Sequence, residues 1–329
     1  MTSTLAARTG PGEELHTGGS ADVRARVCVP SVLILLATMV VVSVGVAALS
    51  GGGQLASTLA SGWAVLAAPL VVGTVGTLLV CERRWPAQRR EAVERGLIHD
   101  AWFLVVHLAS VIPLMTLMSV GFSHLLDDVL GGSWRSWSDA FPSWTLSMVT
   151  LVLMDAGNWL AHWCDHRFGA LWRMHALHHS QEELNVLTSF RAHPLSHFMG
   201  FFLATIPVVV VMGDRPFAPL LITVYVCLGT LPHANVPWSF GPVGRILVSP
   251  AYHRIHHSSE GVSGVNLGIV LTLWDVGSRR ARFPQRGEVA PLTGIAGRPL
   301  VTEQSDRATS HLVLVVDQLV EPFRRLGPP

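Results

Sequence analysis

Charged side chains vanish from this chain for tens of residues at a time. From Val27 to Cys81 there is no Asp, Glu, Lys or Arg, and the apolar run is broken only at SGGGQLAS. A helix that crosses a bilayer needs about 20 apolar residues, so the run predicts two spans, at 28–49 and 62–81. Residues 101–126 are again uncharged and predict a third. A fourth runs from Ser143 to Leu160. Two shorter apolar runs, 199–213 and 216–232, flank Asp214-Arg215 and read as a hairpin that enters the membrane and returns. The expected fold is all-α and integral to the membrane: four transmembrane helices plus a short membrane hairpin, with a cytoplasmic helical His-rich metal domain.

The polar segments between these runs divide the chain. Residues 1–22, rich in Gly, Ser, Thr and Ala, read as a disordered N-terminal tail. Residues 23–161 carry the transmembrane helices, and 162–282 form the histidine-rich catalytic region, with the membrane hairpin at 199–232 inside it. Residues 283–329 read as a loop and then an amphipathic helix, with Leu312, Val315, Val316, Leu319 and Phe323 inward. The first span has too long an apolar core for a signal peptide and a second follows at once, so it reads as a retained anchor. Orientation follows from arginine. Arg24 and Arg26, then the loop holding Arg83, Arg84, Arg89, Arg90 and Arg95, lie on the cytoplasmic side; the loop with Asp127, Asp128 and Asp139 lies outside. The chain therefore comes back to the cytoplasmic face at His162, beside Arg167 and Arg173.

Composition agrees with a cell-membrane protein. Half the residues are hydrophobic and only 14% are charged, and the net charge of +1, without a basic run, argues against a nucleic-acid partner. All 23 basic residues are arginine, which excludes Schiff-base chemistry on lysine. The four cysteines are scattered without a CxxC, so iron–sulfur, c-haem and disulfide-framework readings fail.

Histidine is where the chemistry concentrates. DAGNWLAHWCDHRFGALWRMHALHHS holds His162, His166, His175, His178 and His179; SPAYHRIHHS holds His253, His256 and His257. RAHPLSH supplies His193 and His197, and LPHANV supplies His233, so eleven of the sixteen histidines lie in four clusters. Spacings of three and four residues put imidazoles on one helix face. Neutral imidazole is the commonest ligand for zinc, copper, iron and nickel. The first cluster alone exceeds what one four-coordinate metal takes.

This order of motifs resembles the fatty acid hydroxylase/sterol desaturase superfamily of integral-membrane, histidine-rich di-iron oxidoreductases. The resemblance runs from Glu82 to Asp275 through ERRWP, DxxxWxxHxxxHR, LWRxHxxHHS, RxHP, PHAN, HRIHHS and NLGIVLTLWD. The chain departs from the usual pattern at Asn158, at Ser196-His197, and after Trp274-Asp275. The resemblance implies two iron ions and O2 as cofactors. Their ligands would be His162, His166, His175, His178, His179, His193, His233, His253, His256 and His257. His197 stays open between ligand and supporting residue. Asp155, Asp165 and Asp275 are candidates to accept the second N–H of a ligating imidazole, with helix-end or ion-pair roles as the alternative. Asn266 is a candidate to orient a ligand or a bound water, with a turn-forming role as the alternative. His107 and His124, on the third span, read as packing or interfacial residues.

The implied activity is O2-dependent hydroxylation or desaturation of a C–H bond in a lipid: a fatty acyl chain, sterol or hopanoid, or carotenoid. No flavin, haem or nicotinamide motif is present, so electrons would come from a separate electron-transfer protein, a ferredoxin with its reductase or a cytochrome-type carrier. Arg254, Arg279, Arg280 and Arg282 would form its dock, with lipid headgroups as the alternative partner of these arginines. A metal carrier or sensor would place ligands along the spans themselves, and a zinc hydrolase would need a motif such as HExxH, which is missing.

Overall fold

The structure, a computed structural model, describes residues 54–88, 93–213, 215, 217–260, 264–285, 287–296 and 311–324. The predicted span at 28–49 lies outside them. The described residues are helical, joined by loops that carry only the isolated bridges Leu247–Leu271 and Ser258–Thr293. Helices α1 (Gln54–Leu66) and α2 (Pro69–Arg84) meet at a break before Pro69. Helix α3 (Val93–Val106) runs through a π-turn (His107–Val111) into α4 (Ile112–Leu130). After a 3-10 segment at Gly132–Ala140 the chain returns as α5 (Ser143–Arg167) and turns at Phe168 into α6 (Gly169–His179). Next come α7 (His197–Gly200), a second π-turn (Phe201–Thr205) and α8 (Ile206–Met212), then α9 (Pro219–Thr230). Three helices close the described chain: α10 (Pro250–His256), α11 (Leu273–Gly277) and α12 (His311–Arg324).

Among the described residues, three helical stretches are long and apolar enough to cross a bilayer: Ala60–Arg84, Gly96–Leu130 and Pro194–Met212. The span count differs from the sequence expectation in two places. The first arm of the expected hairpin is a full-length span. The expected fourth span falls on α5, which has 25 residues but is not apolar enough to be among the three, because Asp155, Asn158 and the first histidines interrupt it. Large apolar side chains face outward along these rods, among them Leu117, Leu125, Val149, Val152, Phe202 and Val210. An apolar exterior on this scale belongs against lipid.

Both π-turns have the same cause. Pro113 and Pro207 each stand two residues beyond a π-turn. A proline ring collides with the carbonyl four residues back and has no N–H to offer it; widening the turn relieves the collision. The Leu203 carbonyl so displaced lies against Gly157 of α5, where a Cβ would overlap it. Glycine there lets α5 and the second π-turn touch backbone to backbone.

Polar ties fix the two ends of this bundle. At one end Arg215 pairs with Asp139 at 3.3 Å, Trp137 Nε1 donates to the Val210 carbonyl, and Ala218 N–H donates to Ser147 Oγ. At the other end lies a buried network. Arg191 is fully enclosed and reaches Asp100 at 3.1 Å, the Leu177 carbonyl, Ser180 Oγ and Gln318 Oε1. Gln318 belongs to α12, which also packs Val315 and Leu319 on Phe103 and Leu177. Val316 and Phe323, expected inward, are exposed, while Leu314 and Gln318 are buried.

Candidate metal centre

Four chain segments bring imidazoles to this end of the bundle. The last two turns of α5 carry His162 and His166; α6 ends in His175, His178 and His179; a 3-10 turn (Leu231–His233) carries His233; and α10 carries His253 and His256, with His257 as its cap. The rings sort into two groups, within each of which one nitrogen per ring lies within 4.8 Å of all the others. His162, His166, His175, His179 and His256 form the first; His178, His233, His253 and His257 form the second. The groups touch, since His179 stacks on His257 with centroids 4.4 Å apart. Among the described residues these are the groups able to hold a metal ion.

Helix geometry explains the division. Residues four apart share a face, so His162 pairs with His166, His175 with His179, and His253 with His257. His178 and His256 each project about 100° away from a neighbour in the same run and so serve the opposite group.

Hydrogen bonds fix which nitrogen each ring presents. His162 Nδ1 meets the Leu267 carbonyl at 2.9 Å, His256 Nδ1 the Val265 carbonyl at 2.9 Å, and His178 Nδ1 the Arg191 carbonyl at 3.1 Å. A carbonyl only accepts, so each Nδ1 carries the proton and each Nε2 is a bare lone pair. Ser189 Oγ gives its hydrogen to the Thr230 carbonyl and therefore accepts from His233 Nδ1. His233 Nε2 and His178 Nε2, both bare, then stand 3.1 Å apart. Two buried lone pairs at that distance repel unless a cation lies between them. With metal–nitrogen bonds of about 2.1 Å, adjacent ligand atoms fall about 3 Å apart. The Nε2 atoms of His162 and His256 are buried and have no partner in the protein. This donor set fits metal ions of the imidazole-binding class.

Burial holds all nine rings neutral. It pushes His162 down to about 4 and His178 to about 3, and the neighbouring imidazoles add to the effect at most of the other seven. Asp165 Oδ2 lies 3.6 Å from His175 Nδ1, and burial lifts its carboxyl to about 7. A free histidine titrates near 6.5, so below that pH the unfolded chain takes up protons that the buried rings refuse. The metal-free protein is expected to lose stability as pH falls from 6.5 through 4, nine imidazoles outweighing the opposite contribution of Asp165. Thermal unfolding in detergent at about pH 7.5 and about pH 5 checks this through the linkage slope; an unchanged or higher midpoint at the lower pH would contradict it.

The remaining sequence candidates lie elsewhere. His193 is outside both groups: its Nε2 meets the Leu319 carbonyl of α12, and its Nδ1 accepts from Leu195 N–H. His197 is also outside. Asp155 and Asp275 touch no imidazole. Asp275 accepts from Trp159 Nε1, Tyr252 Oη and the N–H groups of Leu267 and Gly268. Asp155 accepts from Val270 and Leu271 N–H, Tyr225 Oη and Trp274 Nε1. Both carboxylates clamp the loop whose carbonyls orient His162 and His256, so they act one step behind the rings. Asn266 sits in the left-handed region at φ 56° and gives its amide to the backbone of Tyr252 and Arg282. Arg254 is buried against Asn235 and Gln88 and is not a surface charge. Sequence reasoning passed over Arg191, Ser189 and Asp100; the arginine of RxHP was in view but its carbonyl role was not.

A model of the fatty acid hydroxylase family matches residues 147–278, the stretch that contains all nine clustered histidines. Over that stretch the chain is similar to the fatty acid hydroxylase family. It is 34% identical over 192 residues to the ornithine lipid hydroxylase OlsE of Rhizobium tropici, a stretch covering 58% of this chain and 54% of that one. It is 26% identical over 141 residues to an alkylglycerol monooxygenase of Caenorhabditis elegans and 27% over 128 residues to the human one. These cover 40% and 37% of this chain and 26% and 27% of the relatives. The match thus spans about half of the bacterial relative and about a quarter of the animal ones. No solved structure matches the chain.

Proposed function

We propose that this chain is a membrane-bound non-haem di-iron hydroxylase that uses O2 to oxidise a C–H bond of a lipid. The observation that carries the reading is the pair of adjacent all-imidazole groups with bare Nε2 atoms at the end of an apolar helix bundle. The reaction consumes R–H, O2, two electrons and two protons and yields R–OH and water. Hydroxylation is favoured over desaturation because the relatives bear the names hydroxylase and monooxygenase.

In this reading the first group holds one iron and the second holds the other, and the pair supplies O2 activation. The residues of this chain do the rest. Carbonyls of Val265, Leu267 and Arg191 and the hydroxyl of Ser189 lock ring tautomers, while the Asp165 carboxyl lies 3.6 Å from His175 Nδ1. Trp172, whose ring lies 5.1 Å from His166 and 5.4 Å from His179, walls the first group against water. The substrate approaches from the lipid phase along the apolar rods. We assign residues 143–160 of α5 and the helix Pro219–Thr230 to the same membrane layer, since both pack along the long spans and are tied to each other at Ser147. The site faces the cytoplasm, beside Arg83, Arg84, Arg167 and Arg173. Electrons come from a separate acidic carrier docking on exposed Arg279 and Arg282.

Lipid extracts of cells with and without this chain test the proposal. The expected result is a membrane lipid, of the ornithine-lipid or alkylglycerol kind, that gains one oxygen only when the chain and O2 are present. Purified protein that binds two irons yet leaves every lipid unchanged with a competent reductant would favour the carrier or sensor reading instead.

A further inference from the structure

Beside the metal groups, two more imidazoles meet where no metal group forms. His107 opens the first π-turn and His197 opens α7, four residues ahead of the second. Their rings are edge to face with centroids 5.3 Å apart, and His107 also meets the Phe190 ring at 5.5 Å. His107 Nδ1 and His197 Nε2 are buried and have no hydrogen-bond partner. Both residues are half-buried as a whole. Native proteins rarely leave buried polar atoms unsatisfied, because each costs the full desolvation of the group. Two such atoms on facing helices, inside the apolar spans Gly96–Leu130 and Pro194–Met212, call for a partner that brings hydrogen bonds into an apolar layer.

The place is next to the chemistry. Pro194–Ser196, immediately before His197, packs on α6, which carries His175, His178 and His179, and on the first π-turn. Widened helical turns of this kind recur at functional sites. A charged group would be expensive between Phe190 and the apolar helices, whereas neutral imidazole offers one donor and one acceptor.

We propose that His107 and His197 form a hydrogen-bonding site for a neutral polar group of the lipid (an amide, ester or hydroxyl), which sets the carbon presented to the metal groups. The site decides specificity: a purely hydrocarbon chain would leave both nitrogens unpaired and is discriminated against. The proposal rests on the reading of the metal groups as a lipid-oxidising centre, but its test needs no turnover.

The test compares binding of radiolabelled hexadecanamide and hexadecane to metal-loaded protein in nanodiscs. Wild-type protein is expected to favour the amide by about tenfold. In His107→Leu/His197→Leu the preference falls to about one. In His107→Asn/His197→Gln, which return a polar atom near Nδ1 and Nε2, it recovers, and metal content stays the same in all three. Three results would overturn the proposal: an equal amide preference in the leucine protein, metal loss there, or no preference in wild type, which means the nitrogens face water only. If binding behaves as expected but no lipid is oxidised, the proposed reaction falls and the site stands.

Discussion

His179→Ala is expected to strip metal from the first histidine group and to lower formation of the oxygenated lipid by more than about a hundredfold, beyond the 10- to 100-fold typical when a supporting residue is lost. His179 Nε2 lies 3.1 Å from His166 Nε2 and 3.2 Å from His175 Nε2, so it occupies the middle of its group. Its ring is also the one that stacks on His257 of the second group. Alanine removes one imidazole nitrogen from the first group and opens a hole between the two groups at once. Metal analysis of purified protein, paired with lipid mass spectrometry, reads both effects. His193→Ala is the control: its ring is engaged by Leu195 and Leu319, and the metal content should not change. A full metal complement in the His179 variant, or a loss in the His193 variant, would show that the ligand groups are drawn wrongly.

Asp275→Asn should be nearly as damaging without touching a ligand. The two oxygens of this fully buried carboxylate accept four hydrogen bonds, three of them from N–H groups that cannot turn away. An asparagine keeps one acceptor and points two hydrogens at the other pair of donors. The Tyr252 hydroxyl can rotate to accept, but the Gly268 N–H cannot. At least one buried N–H is left unpaired, and about 2–4 kcal/mol of stability should go with it and with the lost charge-assisted bonds. The Leu267 carbonyl then drifts from His162 Nδ1, weakening metal affinity by about 10- to 100-fold. Thermal unfolding and metal titration measure the two losses. Unchanged affinity with lowered stability would mean that the loop does not position His162.

How much of this was legible in the sequence follows from range. The HxxxH and HxxHH spacings are local, and helix geometry alone brings their rings to one end of the molecule. The split into two groups was not read: spacings of three and four residues put each HxxHH on one face, whereas His178 and His256 serve the group opposite their neighbours. The role of Asp155 was not readable, because its partners are backbone amides of a loop over a hundred residues further on; Asp275 holds that same loop from within eight residues and meets α5 only through Trp159. A carboxylate near histidines in sequence suggests direct contact, and nothing in composition distinguishes it from one that holds a loop. The Pro194–Met212 span was read short because RAHPLSH drew it into the metal site, while Pro194 in fact opens the helix. Arg254 looked like surface charge between His253 and Ile255; the face of α10 opposite His256 turned out to be enclosed.

The Gln318 side chain and the Leu319 carbonyl give the last described helix a grip on Arg191, His99 and His193, and the Arg191 carbonyl in turn holds His178. Whatever tugs on α12 is therefore transmitted to a ring of the second group through two contacts, Gln318 to Arg191 and the Arg191 carbonyl to His178. An affinity tag, fluorescent fusion or surface tether joined behind Arg324 would load that linkage mechanically, and preparations handled by that end should carry less metal than those handled by the other.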